Sequence, residues 1–318
     1  MVVRIEPWPK ATALEDCVQH QSDDSLSSIG LTDAGVERIA EQHPGLRRLR
    51  ACNTGRLTDE GVATLARLEQ LEELELAGLS RVSAKGLSAL TGLSLRTLAL
   101  SDAALSDHGA AAIARMHTLE RLELCGASIT GRGLARLVEL PRLRSLHLSR
   151  CFSLGTGPLR ELARVAGLRG LRLDGCPDAD ERNLAVLADL PTIESLDLST
   201  WDRLGSDGLE CVAALPSLRS LDLSQTAVCD EDLEALWRLP LLEELDLTWC
   251  TQLTDIGLEA LTGHRLGRLV LSTTRVTDEG IAYLADMPTL REVDLRDCPR
   301  VSSDAVAALA ATGVQVFT

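Results

Sequence analysis

At 318 residues the chain is 45% apolar but only 2% aromatic, so it has material for a large core of leucine, valine and alanine laid down in many small layers. Its formal charge of −15 argues against a nucleic-acid backbone or an anionic lipid surface as the main partner and favours a basic protein. Nine cysteines, an odd number with no C-x-x-C spacing, match neither a disulfide framework nor a zinc site and read as free thiols.

In chain order, the opening MVVRIEPWPKATALEDC has no apolar leader, and no stretch approaches the about 18 uninterrupted apolar residues of a membrane span. The expected location is the reducing cytoplasm, with non-classical export left open. Only two lysines, Lys10 and Lys85, accompany the arginines, which suggests a GC-rich bacterial source. Residues 1–45 read as an N-terminal cap, with Trp8 as an apolar lid and a worn first repeat, SDDSLSSIGLTDAGVERIAEQHPG, from 21 on.

From Leu46 a frame L-x-x-L-x-L recurs every 24 or 25 residues, starting at Leu46, Leu71, Leu95, Leu119, Leu143, Leu168, Ile193, Leu218, Leu242, Leu266 and Leu290. These eleven copies span 46–313, and 314–318 read as a capping strand. The L-x-L core of each copy alternates with period two and predicts a short strand. The second half spaces apolar residues at i, i+3 and i+6, as in Leu233, Leu236 and Leu239, and predicts a helix. A Thr/Ser–Asp pair such as Thr254–Asp255 supplies the helix cap, a glycine just inside the helix points to close packing, and a proline after the last apolar residue stops it.

The pattern L-x-x-L-x-L-x-x-C/T-x-x-L-T-D-x-G-L-x-x-L resembles the leucine-rich-repeat family, in particular the cysteine-containing kind of F-box substrate receptors and many bacterial proteins. The resemblance implies an α/β fold, a right-handed solenoid (horseshoe) with a concave parallel β-sheet and convex α-helices. The expected partner is a protein held on the concave face. Strands need about 4.8 Å each and helices roughly 8–10 Å, so such an array bends toward its strands.

Within this frame Cys151, Cys176, Cys250 and Cys298 share the ninth position with Thr54, Thr226 and Thr274, which wants a small buried donor. Trp249 occupies position eight, where the other ten copies carry Asn53, Gly78, Asp102, Gly126, Arg150, Gly175, Thr200, Gln225, Thr273 and Asp297. The frame offers no packing reason for an indole there. It is read either as an exposed interface anchor or as lying over Trp201 or a neighbouring loop.

Position five faces the concave side, and Asp197, Asp222 and Asp246 stand on consecutive strands. Over positions two, three, five, seven and eight, the repeats from 193 to 290 carry Glu194, Asp197, Asp222, Glu243, Glu244, Asp246, Glu292, Asp294 and Asp297 against four arginines. The repeats from 119 to 168 carry Arg121, Arg144, Arg150, Arg169 and Arg172 against three acids. The candidate partner-binding set is therefore Asp197, Asp222, Glu244, Asp246, Trp249, Glu292, Asp294 and Asp297, with His147, Arg150 and Arg172 as a secondary basic patch.

No hydrolase, metalloprotease, dinucleotide or phosphate-loop motif occurs, and GTG at 155–157 lacks the partners of a phosphate loop. The six histidines are scattered, His147 and Cys151 are expected to face opposite ways, and CPDADERN at 176–183, with Asp178 and Asp180, reads as a variant helix start. The expected function is a monomeric, non-catalytic scaffold for protein–protein interaction, with no cofactor, metal, nucleic acid or membrane. Two alternatives are an effector or substrate receptor acting in host ubiquitin pathways and an inhibitor or immunity protein holding a basic enzyme.

Overall fold

The computed structural model describes residues 24–103, 105–151, 158–165, 167–176 and 184–318. The lid assigned to residues 1–20 with Trp8, the GTG at 155–157 and the helix start with Asp178 and Asp180 lie outside the described residues. Among the described residues, thirteen strands form one unclosed parallel sheet in sequential order, β1 (Ser25–Ile29) to β13 (Gln315–Phe317). Helical turns alternate with the strands on the other side. Segment 21–45, without the leucine frame, still supplies β1, which pairs along five residues with β2 (Arg48–Cys52).

The core arises from the frame. In the repeat starting at 242, Leu242, Leu245, Leu247, Leu253, Leu258 and Leu261 are all buried. Their counterparts in successive repeats join into one continuous apolar column. Each layer closes the one before it, which is why a core of so few aromatics suffices.

The cap residues do two jobs. Thr254 Oγ1 accepts the Ile256 N–H and caps the helix Asp255–Leu261. The preceding repeat's Asp230 carboxylate accepts from the Thr254 N–H at 2.8 Å and its hydroxyl at 2.6 Å. The same reach across one repeat joins Asp33 to Thr58, Asp59 to Ser83, Asp107 to Thr130 and Asp255 to Thr277. The glycine inside the helix makes room for it: a Cβ on Gly257 would lie 2.6 Å from Asp230 Oδ1.

Among the described residues, 3-10 helix occurs at four places where α-helix is predicted. Leu90–Gly92 follows the α-helix Ala84–Ala89, and Pro158–Arg164, Ala185–Asp189 and Glu231–Arg238 are longer. The apolar spacing i, i+3, i+6 suits them: residues three apart eclipse on a 3-10 helix, whereas on an α-helix the same stripe drifts around the axis. Strand length also changes along the chain. Strands β1–β6 run five residues and β7–β13 three. In β8 (Ser195–Asp197), β9 (Ser220–Asp222), β10 (Glu244–Asp246) and β12 (Glu292–Asp294) the position-five aspartate accepts the N–H two residues on, at 2.9–3.1 Å. In these four strands that local bond withdraws the position-seven N–H from the ladder; β7 (Gly170–Arg172) and β11 (Arg268–Val270) are equally short without an aspartate at that position.

Candidate protein-binding surface

Each repeat leaves the sheet through the same backbone kink. Position eight has φ between +49° and +87° in all eleven copies, from Asn53 to Asp297. Glycine adopts this left-handed region freely and Asn or Asp tolerates it, which accounts for six of the eleven positions; Arg150, Thr200, Gln225 and Thr273 hold the same conformation. A bulky side chain in that region is strained. Trp249, at φ +62°, is therefore held against its conformational preference, and its side chain is 54% exposed.

Trp201 does not share a surface with it. It stands at position nine, 5% exposed, and its indole N–H donates to the Leu173 carbonyl at 2.8 Å. The inward-turning thiols do the same one repeat back: Cys151 to Leu124, Cys176 to Leu148, Cys250 to Leu223 and Cys298 to Leu271, at 3.0–3.4 Å. Trp201 is thus a large substitute for the small donor of that position.

Burial pushes the Cys151 and Cys176 thiols up to about 12, so neither supplies thiolate at neutral pH. Native protein treated with a thiol reagent should leave Cys151, Cys176, Cys250 and Cys298 unmodified while denatured protein reacts fully. Rapid native labelling of these four would refute their assignment.

The acids divide into two groups. Asp197 is buried and takes an ion pair from Arg172 at 2.8 Å; Asp294 is buried and held by Arg296 and by the Ser272 hydroxyl. Glu292 pairs with Arg268 at 3.5 Å. Asp222 and Glu244, among the described residues, have no cation within ion-pair distance, and Asp297 is exposed at the far end. Register places Asp197, Asp222 and Asp246 side by side across β8 (Ser195–Asp197), β9 (Ser220–Asp222) and β10 (Glu244–Asp246). Asp294, on β12, is separated from that row by Val270 on β11. Burial, reinforced by Asp197 and Asp246 on either side, raises the Asp222 carboxyl to about 6.

The secondary basic patch requires correction. His147 is 9% exposed rather than open on the face, with Nε2 2.7 Å from Asp174 and Nδ1 3.4 Å from Glu123. Burial opposes its protonation, but the Asp174 and Glu123 carboxylates outweigh it and raise the imidazole above its usual value. Arg172 is engaged by Asp197, and Arg150 lies 3.4 Å from the Cys125 sulfur. Neighbouring repeats set an acid beside His147 and Arg172, which a count of positive residues along the chain does not show. Among the described residues Asp222 and Glu244, on adjacent strands, are two acids of this face without an ion-pair partner, and Trp249 is on the same repeat as Glu244.

Among the described residues no group of three or more His, Cys, Asp or Glu is arranged to hold a metal ion, and no helix is long and apolar enough to cross a membrane.

Residues 93–114, 214–236 and 238–261 match the family model described as Leucine Rich repeat. None of the curated proteins matches the sequence. An internalin, inlF, from Listeria monocytogenes is similar in structure, with a TM-score of 0.57 and 17% identity over 92% of this chain and 86% of that one. A chain of the yeast Rad7 and Elc1 complex is similar with a TM-score of 0.62 and 21% identity, over 88% of this chain and 77% of its own length. With the repeat period, the unclosed parallel sheet and the three matched repeats in agreement, this chain carries leucine-rich repeats and has the fold of a leucine-rich-repeat solenoid.

Proposed function

We infer that the protein is a non-catalytic scaffold that binds a protein partner through its concave face, centred on Trp249 with the carboxylates of β9 and β10. The observation that carries this reading is the indole itself. It is exposed, it sits in a left-handed backbone position at an expected cost of about 1–2 kcal/mol, and ten equivalent positions lack an aromatic residue. Strain retained on a surface is a reason to look for function there. Exposed tryptophans are favoured interface anchors, and the carboxylates of the same and the preceding repeat suit a partner that also presents lysine or arginine.

That charge also favours the reading of an inhibitor that holds a basic enzyme over a ubiquitin-pathway receptor. The test is affinity for a partner recovered by pull-down with mass spectrometry. Trp249→Ala should weaken binding by on the order of 2 kcal/mol. Trp249→Gly should do the same yet raise folding stability by about 1 kcal/mol, because it removes the strain. Reversing Asp222 and Asp246 to arginine should mainly slow association, with a loss that shrinks as salt rises. Wild-type binding by the Trp249 variants, with binding lost on substitution of Arg150 and Arg172, would move the site off this end of the face.

A further inference from the structure

The repeats provide an internal control for every position, and one stretch of the convex side breaks it repeatedly. Trp237 stands four residues after the first apolar helix position. The other ten repeats carry alanine there seven times, threonine twice and valine once. Leu241 precedes a frame leucine, where the other ten copies have glycine or a polar residue. His264 takes the third stripe position, elsewhere mostly leucine or methionine.

Two of these departures, Trp237 and His264, meet in space. The Trp237 and His264 rings lie 4.9 Å apart, and Gly263 makes the contact possible, since a Cβ there would be 1.8 Å from the Trp237 ring. Trp237 is nonetheless 55% exposed and Leu241 41% exposed, so the indole is not a buried filler. Under it, His264 is 7% exposed, and its Nε2 has no hydrogen-bond partner among the described residues.

The 3-10 geometry of Glu231–Arg238 extends the feature. Its residues repeat every three, so Glu231, Glu234 and Trp237 form one exposed ridge, while Asp232, Leu233, Ala235 and Leu236 are buried. Beside this ridge runs a groove of about 220 Å³ whose rim carries Glu210, Glu231 and Glu234, with Arg238 tied to Glu210. An acidic groove beside a ridge that carries an exposed indole is complementary to one kind of occupant.

We propose that this convex ridge is a second docking surface, separate from the concave face, for a short basic and apolar segment of a partner protein. A lysine or arginine of that segment enters the groove between Glu210, Glu231 and Glu234, and an apolar side chain covers Trp237 and Leu241. The carboxylates select the charge, and the indole supplies the contact area.

The probe is a short helical peptide combining lysine with a leucine stripe, compared with lysine–serine and glutamate–leucine versions, on the full chain. The lysine–leucine peptide is expected to shift the Trp237 indole N–H resonance and to bind at least about tenfold more tightly than either control. Trp237→Ala restores the residue most repeats carry and should keep the fold while weakening binding about tenfold or more. Glu234→Lys, at an exposed position, should weaken it further at low salt than at high salt. Trp249→Ala should leave it unchanged. The proposal is overturned if Trp237→Ala binds the peptide like wild type, if Trp249→Ala removes binding instead, or if the glutamate version binds equally. Concentration-dependent self-association abolished by Trp237→Ala would also overturn it, since the occupant would then be a second copy.

Discussion

Replacing Leu245 by alanine is expected to cost about 2–5 kcal/mol of folding free energy. Leu245 lies in the centre of β10, is 1% exposed, and sits between Leu221 and Leu269 of the flanking strands. Deleting its side chain opens a cavity between two layers that cannot collapse without moving the backbone ladder on both sides. In a solenoid each repeat is stabilised mainly by its neighbours, so the loss weakens two interfaces at once. Denaturant titration of wild type and variant provides the measurement. A change below about 1 kcal/mol would show that Leu245 is not the packed layer residue described here.

Asp222→Asn is expected to stabilise the protein at pH 7 and above by about 1–3 kcal/mol, and to leave it unchanged near pH 4. Burial first, and then Asp197 and Asp246, raise the Asp222 carboxyl from 3.8 to about 6. A group whose pKa is raised on folding contributes most stability below its unfolded value and loses it as pH rises through the folded one. For Asp222 that window runs from about 4 to about 6, so at neutral pH the native protein bears the cost of an ionised carboxylate between two others. Asparagine keeps the oxygen that accepts the Ser224 N–H at 2.9 Å and removes the charge. Asp174 behaves in the opposite sense. Although burial opposes ionisation, hydrogen bonds from His147 and Ser149 hold it down at about 2, so its contribution is lost only as pH falls below 4. That loss is common to both proteins and cancels in their comparison. Thermal melts from pH 4 to pH 8 would decide; an equal difference at both ends, or a less stable Asn variant at pH 8, would refute the ladder's repulsion.

The chain's own pattern determined the architecture, because the repeat writes the same local physics eleven times. Period two makes a strand with one face buried, period three makes a helical stripe, and a Thr or Ser hydroxyl caps most of the α-helices at their start. It also identified the ninth position as an inward donor, which Cys250 and Cys298 fulfil toward Leu223 and Leu271. Tertiary structure decided whatever depends on a neighbour one repeat away. Along the chain His147 reads as an exposed cation, but Asp174, 27 residues on, closes over it, and Arg172 and Asp197 neutralise each other across adjacent strands. The left-handed kink at position eight shows in the sequence as Gly, Asn or Asp in six of the eleven copies, but its meaning requires backbone angles. Trp237 is hidden for a related reason: along the chain it is one apolar residue in LEALWRLP, and only the 3-10 turn, which brings every third residue to one ridge, sets it outside the core with Glu231 and Glu234. Local periodicity is a property of consecutive residues, whereas charge pairing and exposure are properties of residues about 24 apart in the chain and one strand apart in space.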